Sequence, residues 1–196
     1  MISIKALEEK ILKEGQVLPG NILKVGGFLN QQIDVRFLQE MGKEIKRLFE
    51  GEGVTKILTI ESSGIAIAVG AALFMDVPVV FAKKNKSKNV SGDVYSAKVE
   101  SFTHGVVYDI VVSREYISPE DRVLIVDDFL ANGKALLGLK KLIEDAGATI
   151  VGAAIAIEKG FQKGGANLRA AGMRVESLAI VESMSDAEVV FRAQDN

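Results

Sequence analysis

Cysteine and tryptophan are absent from this 196-residue chain, histidine occurs once and proline three times. Without thiols there is no disulfide scaffold, no zinc–thiolate centre and no cysteine nucleophile. The same absence agrees with a reducing compartment, so a cytoplasmic location is expected. One imidazole, His104, excludes a multi-histidine metal site and leaves any Ser-His-Asp scheme resting on a single residue. Any metal is therefore expected to be a hard cation held by oxygens. Neither sign of charge dominates: 24 Lys and Arg stand against 26 Asp and Glu, a net −2. Bulk nucleic-acid binding needs phosphate-neutralising charge, so no nucleic-acid partner is expected. The start carries Glu8, Glu9 and Glu14 where a signal peptide would need an apolar core. One stretch, 62–82, is long enough to cross a bilayer, but Asp76 and Pro78 split it and Gly64 and Gly70 dilute it, so no membrane association is expected.

The remaining composition, 48% apolar and 26% charged, is that of an ordinary globular chain, and the length suits one domain spanning 1–196. Ile4, Leu7 and Ile11 recur at helical spacing before Gly15, predicting a helix over 3–14. Asp34 can cap a second helix whose Leu38, Met41, Ile45 and Leu48 share a face and which stops at Gly51. Short apolar runs predict buried strands at 56–60, 77–82, 123–126, 149–157, 175–181 and 188–191. Helices are expected at 65–75 and 133–146, with a short one ending near Gly172. Strands at 94–101 and 106–113 are expected around Thr103-His104-Gly105, with His104 an exposed loop residue at the tip. Strands alternating with helices imply an α/β domain with a mostly parallel central sheet flanked by helices. Ligands in such sheets bind off the carboxyl ends of the strands, which singles out the loops after Ile60, Val126 and Ile157.

The segment V-L-I-V-D-D-F-L-A-N-G-K-A, 123–135, carries the most chemistry. A buried strand delivers Asp127 and Asp128 to its end, where carboxylates can accept hydrogen bonds from hydroxyls. Phe129–Asn132 is expected to be a loop. Ala131, Asn132, Gly133, Lys134 and Ala135 are small or flexible enough for backbone amides at a helix start to close around an anion. Acids for hydroxyls beside amides for a phosphate describe a sugar-phosphate site; a capped strand–turn–helix without ligand is the plainer alternative. Glu61-Ser62-Ser63-Gly64 joins a strand to a helix and offers a second anion loop. Lys83, Lys84 and Lys86 can neutralise phosphate, or simply be solvated.

The 123–135 segment resembles the phosphoribosyl-diphosphate (PRPP) motif of the type I phosphoribosyltransferases. The stretches F-L-N-Q-Q-I-D (28–34), I-E-S-S-G-I-A (60–66), V-D-D-F-L-A-N-G (126–133), I-E-K-G-F-Q (157–162) and R-V-E-S-L-A (174–179) are similar, in order and spacing, to the bacterial xanthine phosphoribosyltransferases, over essentially the whole chain. The resemblance implies the type I phosphoribosyltransferase fold, with a small hood from about the first 35 residues and the C-terminal segment. It implies that Asp127 and Asp128 bind the ribose hydroxyls and that 131–135 hold the 5-phosphate. Ser62, Ser63 and Gly64 would grip diphosphate, with a non-proline cis peptide expected at Ser62–Ser63 and Lys83 adding charge. Leu23, Asn30 and Lys159 would contact xanthine, and Phe161 is a candidate to stack on the purine. No metal-binding side chain is assigned; Mg²⁺ is expected to arrive with the diphosphate. A homodimer and a mobile covering region over 84–113 are further expectations. The chain departs from the family at Ile67, Lys83 and Glu100. Another purine base, or a PRPP-sensing regulator, is the alternative function.

Overall fold

The computed structural model describes residues 4–84, 93–100, 107–185 and 188–194. The first helix, α1, is Ile4–Glu14. Two three-residue strands, β1 (Gln16–Leu18) and β2 (Ile22–Lys24), pair antiparallel, and a π-type turn, Gly26–Asn30, follows. Nothing in the sequence periodicity marks this segment, because three-residue strands carry too little alternation. Asp34 caps α2 (Val35–Leu48) as expected, its carboxylate accepting from the Phe37 amide at 3.1 Å.

The main sheet is built from β3 (Lys56–Ile60), β4 (Val79–Lys84), β5 (Val94–Glu100), β6 (Val107–Ser113), β7 (Arg122–Leu130), β8 (Thr149–Lys159), β9 (Val175–Met184) and β10 (Val189–Phe191). Its order is β10-β9-β8-β7-β3-β4-β6-β5. The five central strands, β9 to β4, run parallel, and antiparallel pairs close both edges. The pleat sorts side chains between two cores. Leu124 and Val126 pack with α1, α2 and α3 (Ser63–Met75); Val123 and Ile125 pack with α4 (Lys134–Asp145) and Leu168 of α5 (Gly164–Ala170).

From β3 the chain moves outward to β4, whereas from β7 it moves the other way to β8 and β9. Adjacent β3 and β7 therefore form the point where strand order reverses, and their carboxyl ends flank a crevice where α/β sheets bind ligands.

Two expectations need correction. β7 runs to Leu130 and β8 to Lys159, so Phe129 and Leu130 are strand, not loop: Phe129 pairs with Ile157 and Leu130 with Glu158. β4 starts at Val79 and runs to Lys84 rather than spanning 77–82, since Pro78 has no amide to give the ladder. The described strands of the 84–113 region are anchored in the fold. Tyr95, Ala97, Val99, Ile110 and Val112 are buried in the α4-side core, and β6 pairs with β4. Lys86 and the Thr103-His104-Gly105 tip lie outside the described residues.

Candidate active site

The carboxyl ends of β3, β7 and β8 bring the sequence-identified groups together. Asp127 is buried at 4% exposure and accepts a 2.9 Å hydrogen bond from the Asp128 amide. Burial, with the neighbouring Asp128 charge adding to it, pushes the Asp127 carboxyl well above the usual carboxylate range. Asp128 is half-buried. A hydrogen-bond donor or cation near Asp127 would favour its charged form.

The 131–135 loop takes the shape its residues allow. Gly133 is left-handed (φ 82°) and caps the start of α4, a conformation that favours glycine. The Asn132 side-chain oxygen accepts from the Lys134 amide at 3.0 Å, which fixes the turn. Against this loop lies the start of α5. A methyl group on Gly164 would collide with the Ala131 carbonyl and would stand 2.6 Å from both the Asn132 carbonyl carbon and the Gly133 nitrogen. The Gly164 amide donates to the Ala131 carbonyl at 3.2 Å.

After β3, the non-proline cis peptide is Glu61–Ser62, one bond earlier than the Ser62–Ser63 expectation. The Glu61 side chain turns toward β4 and accepts from the Lys84 amide at 2.6 Å, which ties the loop to the neighbouring strand. Ser63 and Gly64 open α3. A methyl on Gly64 would strike the Thr59 hydroxyl and stand 2.9 Å from Asp127 Oδ1, so only glycine lets this loop pack against the acidic strand. Thr59 is buried with its hydroxyl unpaired.

A cavity of about 220 Å³ lies beside the phosphate loop. Lys84, Glu100, Tyr108, Phe129 and residues 130–136 line it. Strand alternation turns Lys83 to the other face, where it lines an open groove with Phe81, Val111 and Tyr116. Lys83 therefore does not line this cavity, whereas Lys84 does, its ammonium 5.5 Å from the Tyr108 ring. Burial raises the Tyr108 phenol above its ordinary value, and the Asp127 charge adds to that. Glu100 lies 3.7 Å from the Lys134 ammonium.

At the end of β8, Lys159 donates to the Asn21 carbonyl at 2.8 Å and stands 5.8 Å from the Phe129 ring. Burial lowers its pKa. The β1–β2 turn thereby meets β8, 138 positions away in sequence. Leu23 is buried in the core beneath, Asn30 is exposed at the end of the π-type turn, and Phe161 is 37% exposed rather than packed away. Phe129 links the two halves, touching Lys159 on one side and lining the 220 Å³ cavity on the other. Sequence reading assigned it to a loop and missed it; its one available signal is the aromatic ring directly after two acids.

Among the described residues no cluster of three or more Asp, Glu or His could cage a metal, and none of their helices is long and apolar enough to cross a membrane.

Comparison with known proteins agrees with this geometry. Residues 31–167 match the phosphoribosyl transferase domain family. The xanthine phosphoribosyltransferase of Clostridioides difficile (strain 630) is 58% identical over 190 residues, covering 96% of this chain and 100% of the relative. That of Lachnoclostridium phytofermentans is 55% identical over 191 residues, covering 96% and 98%. Among solved structures, the Giardia lamblia adenine phosphoribosyltransferase complexed with 9-deazaadenine superposes with a TM-score of 0.76 at 22% identity, covering 94% of this chain and 100% of that one. This last likeness concerns the fold alone. The chain belongs to the xanthine phosphoribosyltransferases, within the phosphoribosyl transferase domain family.

Proposed function

We propose that the protein transfers the 5-phosphoribosyl group of PRPP to N9 of xanthine, giving xanthosine 5′-monophosphate (XMP) and diphosphate, in purine salvage. The observation that carries this reading is the meeting, at the β3–β7 reversal point, of an acidic pair, a glycine-started phosphate loop and a cis-peptide loop, in a chain 58% identical to a protein of that name. In the reaction the bond from the ribose C1 to diphosphate breaks, the C1–N9 bond forms, and the N9 proton leaves to solvent.

Each residue has a task suited to its surroundings. Asp127 and Asp128 accept from the ribose hydroxyls and orient the sugar. The backbone of 131–135 holds the 5-phosphate. Ser62, Ser63 and Gly64 offer hydrogen-bond donors to the departing diphosphate, and Lys84 supplies charge there. Lys83, on the outer groove, could act on a substrate only from a different position, such as a neighbouring subunit of a homodimer. Lys159 and Asn30 address the carbonyl oxygens of a dioxopurine, with Leu23 beneath and Phe161 free to stack. The β1–β2 segment and the C-terminal strand act as the hood.

Mg²⁺ fits this donor set as a cation carried in by diphosphate, because the described residues offer an acidic pair rather than a cluster of three or more ligands, and Mg²⁺ readily keeps water ligands. When bound it offsets charge on the leaving group. A homodimer and a cytoplasmic location complete the proposal; the exposed Phe81 and Tyr116 along the outer groove are surface that a second subunit would cover.

The test is a spectrophotometric assay with PRPP, Mg²⁺ and xanthine, guanine, hypoxanthine or adenine in turn. Preferential turnover of xanthine is the expected result. Preference for another base would retain the phosphate loops and overturn the roles of Leu23, Asn30 and Lys159. PRPP binding without turnover of any base would favour the regulator.

A further inference from the structure

Glu158 is a carboxylate at 2% exposure for which the reaction above has no use. It sits between Lys159, its chain neighbour, and Leu130 of β7, its register partner, immediately before the phosphate loop. All its capacity is spent locally. Arg169 of α5 forks onto both oxygens at 2.8 and 2.7 Å, and the Ser177 hydroxyl donates at 2.5 Å. Arg169 Nε also donates to the Val175 carbonyl at 3.2 Å. Burial alone would raise the carboxyl, but the Arg169 and Ser177 hydrogen bonds outweigh it, so Glu158 is held ionised below its ordinary value.

The consequence reaches the loop through two adjacent glycines. The Gly165 backbone lies directly on Glu158 Oε1, where any side chain would collide, and Gly164 lies directly on the Ala131–Gly133 backbone. One short helix is thus pinned at one end to a buried carboxylate and pressed at the other against the phosphate loop. A buried ion pair is a weak source of stability, since desolvation consumes most of the Coulomb gain. A bidentate fork instead fixes distance and direction.

We infer that Glu158, through Arg169, is a positioning residue that sets the register of the 131–135 phosphate loop relative to Lys159. This rests on the roles proposed for that loop and for Lys159. XMP joins phosphate and base covalently and so is sensitive to the register; PRPP carries no base and does not reach Lys159. Glu158→Gln in the full chain keeps the side-chain size and removes the ion pair. Calorimetry is expected to give a PRPP·Mg²⁺ Kd within twofold of the parent, an XMP Kd weakened about tenfold, and a kcat reduced about tenfold or more. Arg169→Lys keeps charge without the fork and should show the same split more mildly; it carries the test if Glu158→Gln does not fold. Ser177→Ala leaves the α5 tie intact and should leave the XMP Kd unchanged. Equal weakening of PRPP and XMP, or a fall in Tm with neither Kd altered, would overturn the positioning role. Failure of the parent protein to bind XMP would instead refute the proposed activity.

Discussion

Gly164→Ala puts the contact between α5 and the phosphate loop to a quantitative test. The new methyl would stand 2.6 Å from the Asn132 carbonyl carbon and from the Gly133 nitrogen, closer still to the Ala131 carbonyl, where ordinary contact begins near 3.4 Å. The obstructing atoms are all backbone, so none can rotate away. Loop or helix must separate by about 0.8 Å to clear the two 2.6 Å contacts. Overpacking of this kind costs about 1–3 kcal/mol, a Tm loss of roughly 2–12 °C for a domain this size. The catalytic loss should be larger. A displacement near 1 Å costs on the order of 100-fold in rate, about 2.7 kcal/mol of barrier. The assay is kcat/KM for PRPP at saturating xanthine, beside a thermal melt. A folded variant with kcat/KM within twofold of the parent would show that the loop is not held by α5.

Asp128→Asn should lower kcat/KM for PRPP about tenfold or more by steady-state kinetics; unchanged kinetics would remove it from the ribose site. Because the Asp127 carboxyl is raised in the free protein and donated hydroxyls favour its charged form, PRPP binding should release protons over the pH range in which the free carboxyl still holds its proton. Calorimetry in buffers of different ionisation enthalpy measures this, and a buffer-independent heat would contradict it. Lys159→Ala should raise KM for xanthine with little effect on PRPP; the reverse pattern would put Lys159 in the wrong subsite. Asp121 is held below its ordinary value: burial opposes this, but the Lys56, Ser118 and Thr55 contacts outweigh it. Its stabilising share should be complete above the unfolded value near 4 and fade as acid carries the pH down through the lower folded value. Asp121→Asn should flatten the Tm-against-pH profile in that range.

The central strands were legible because parallel strands buried on both faces read as unbroken apolar runs, as in Leu124–Val126 and Ala153–Ile157. Their ends were not. Asp127-Asp128 looks like an exit from a sheet, yet the β7–β8 ladder continues past it to Leu130 and Glu158, and charge near a strand end says nothing about backbone pairing. The acidic pair and the phosphate loop were readable because the chemistry is local in sequence. Lys84 could not be chosen over Lys83 without the register of β4, since a one-residue slip exchanges the two faces. Glu158 with Arg169, and Tyr108 with Lys84, are pairs made only by folding.

Gly138 sits one turn into α4, where a methyl would strike Val99 of β5 and stand 3.1 Å from Ile110 Cδ1 of β6. The helix that begins at the phosphate loop and the hairpin that brings Glu100 and Tyr108 over the cavity are thus fitted like tooth and socket. A larger residue at 138 would have to displace Val99 or Ile110, so a change on this helix face would be felt in the two strands whose Glu100 and Tyr108 line the cavity.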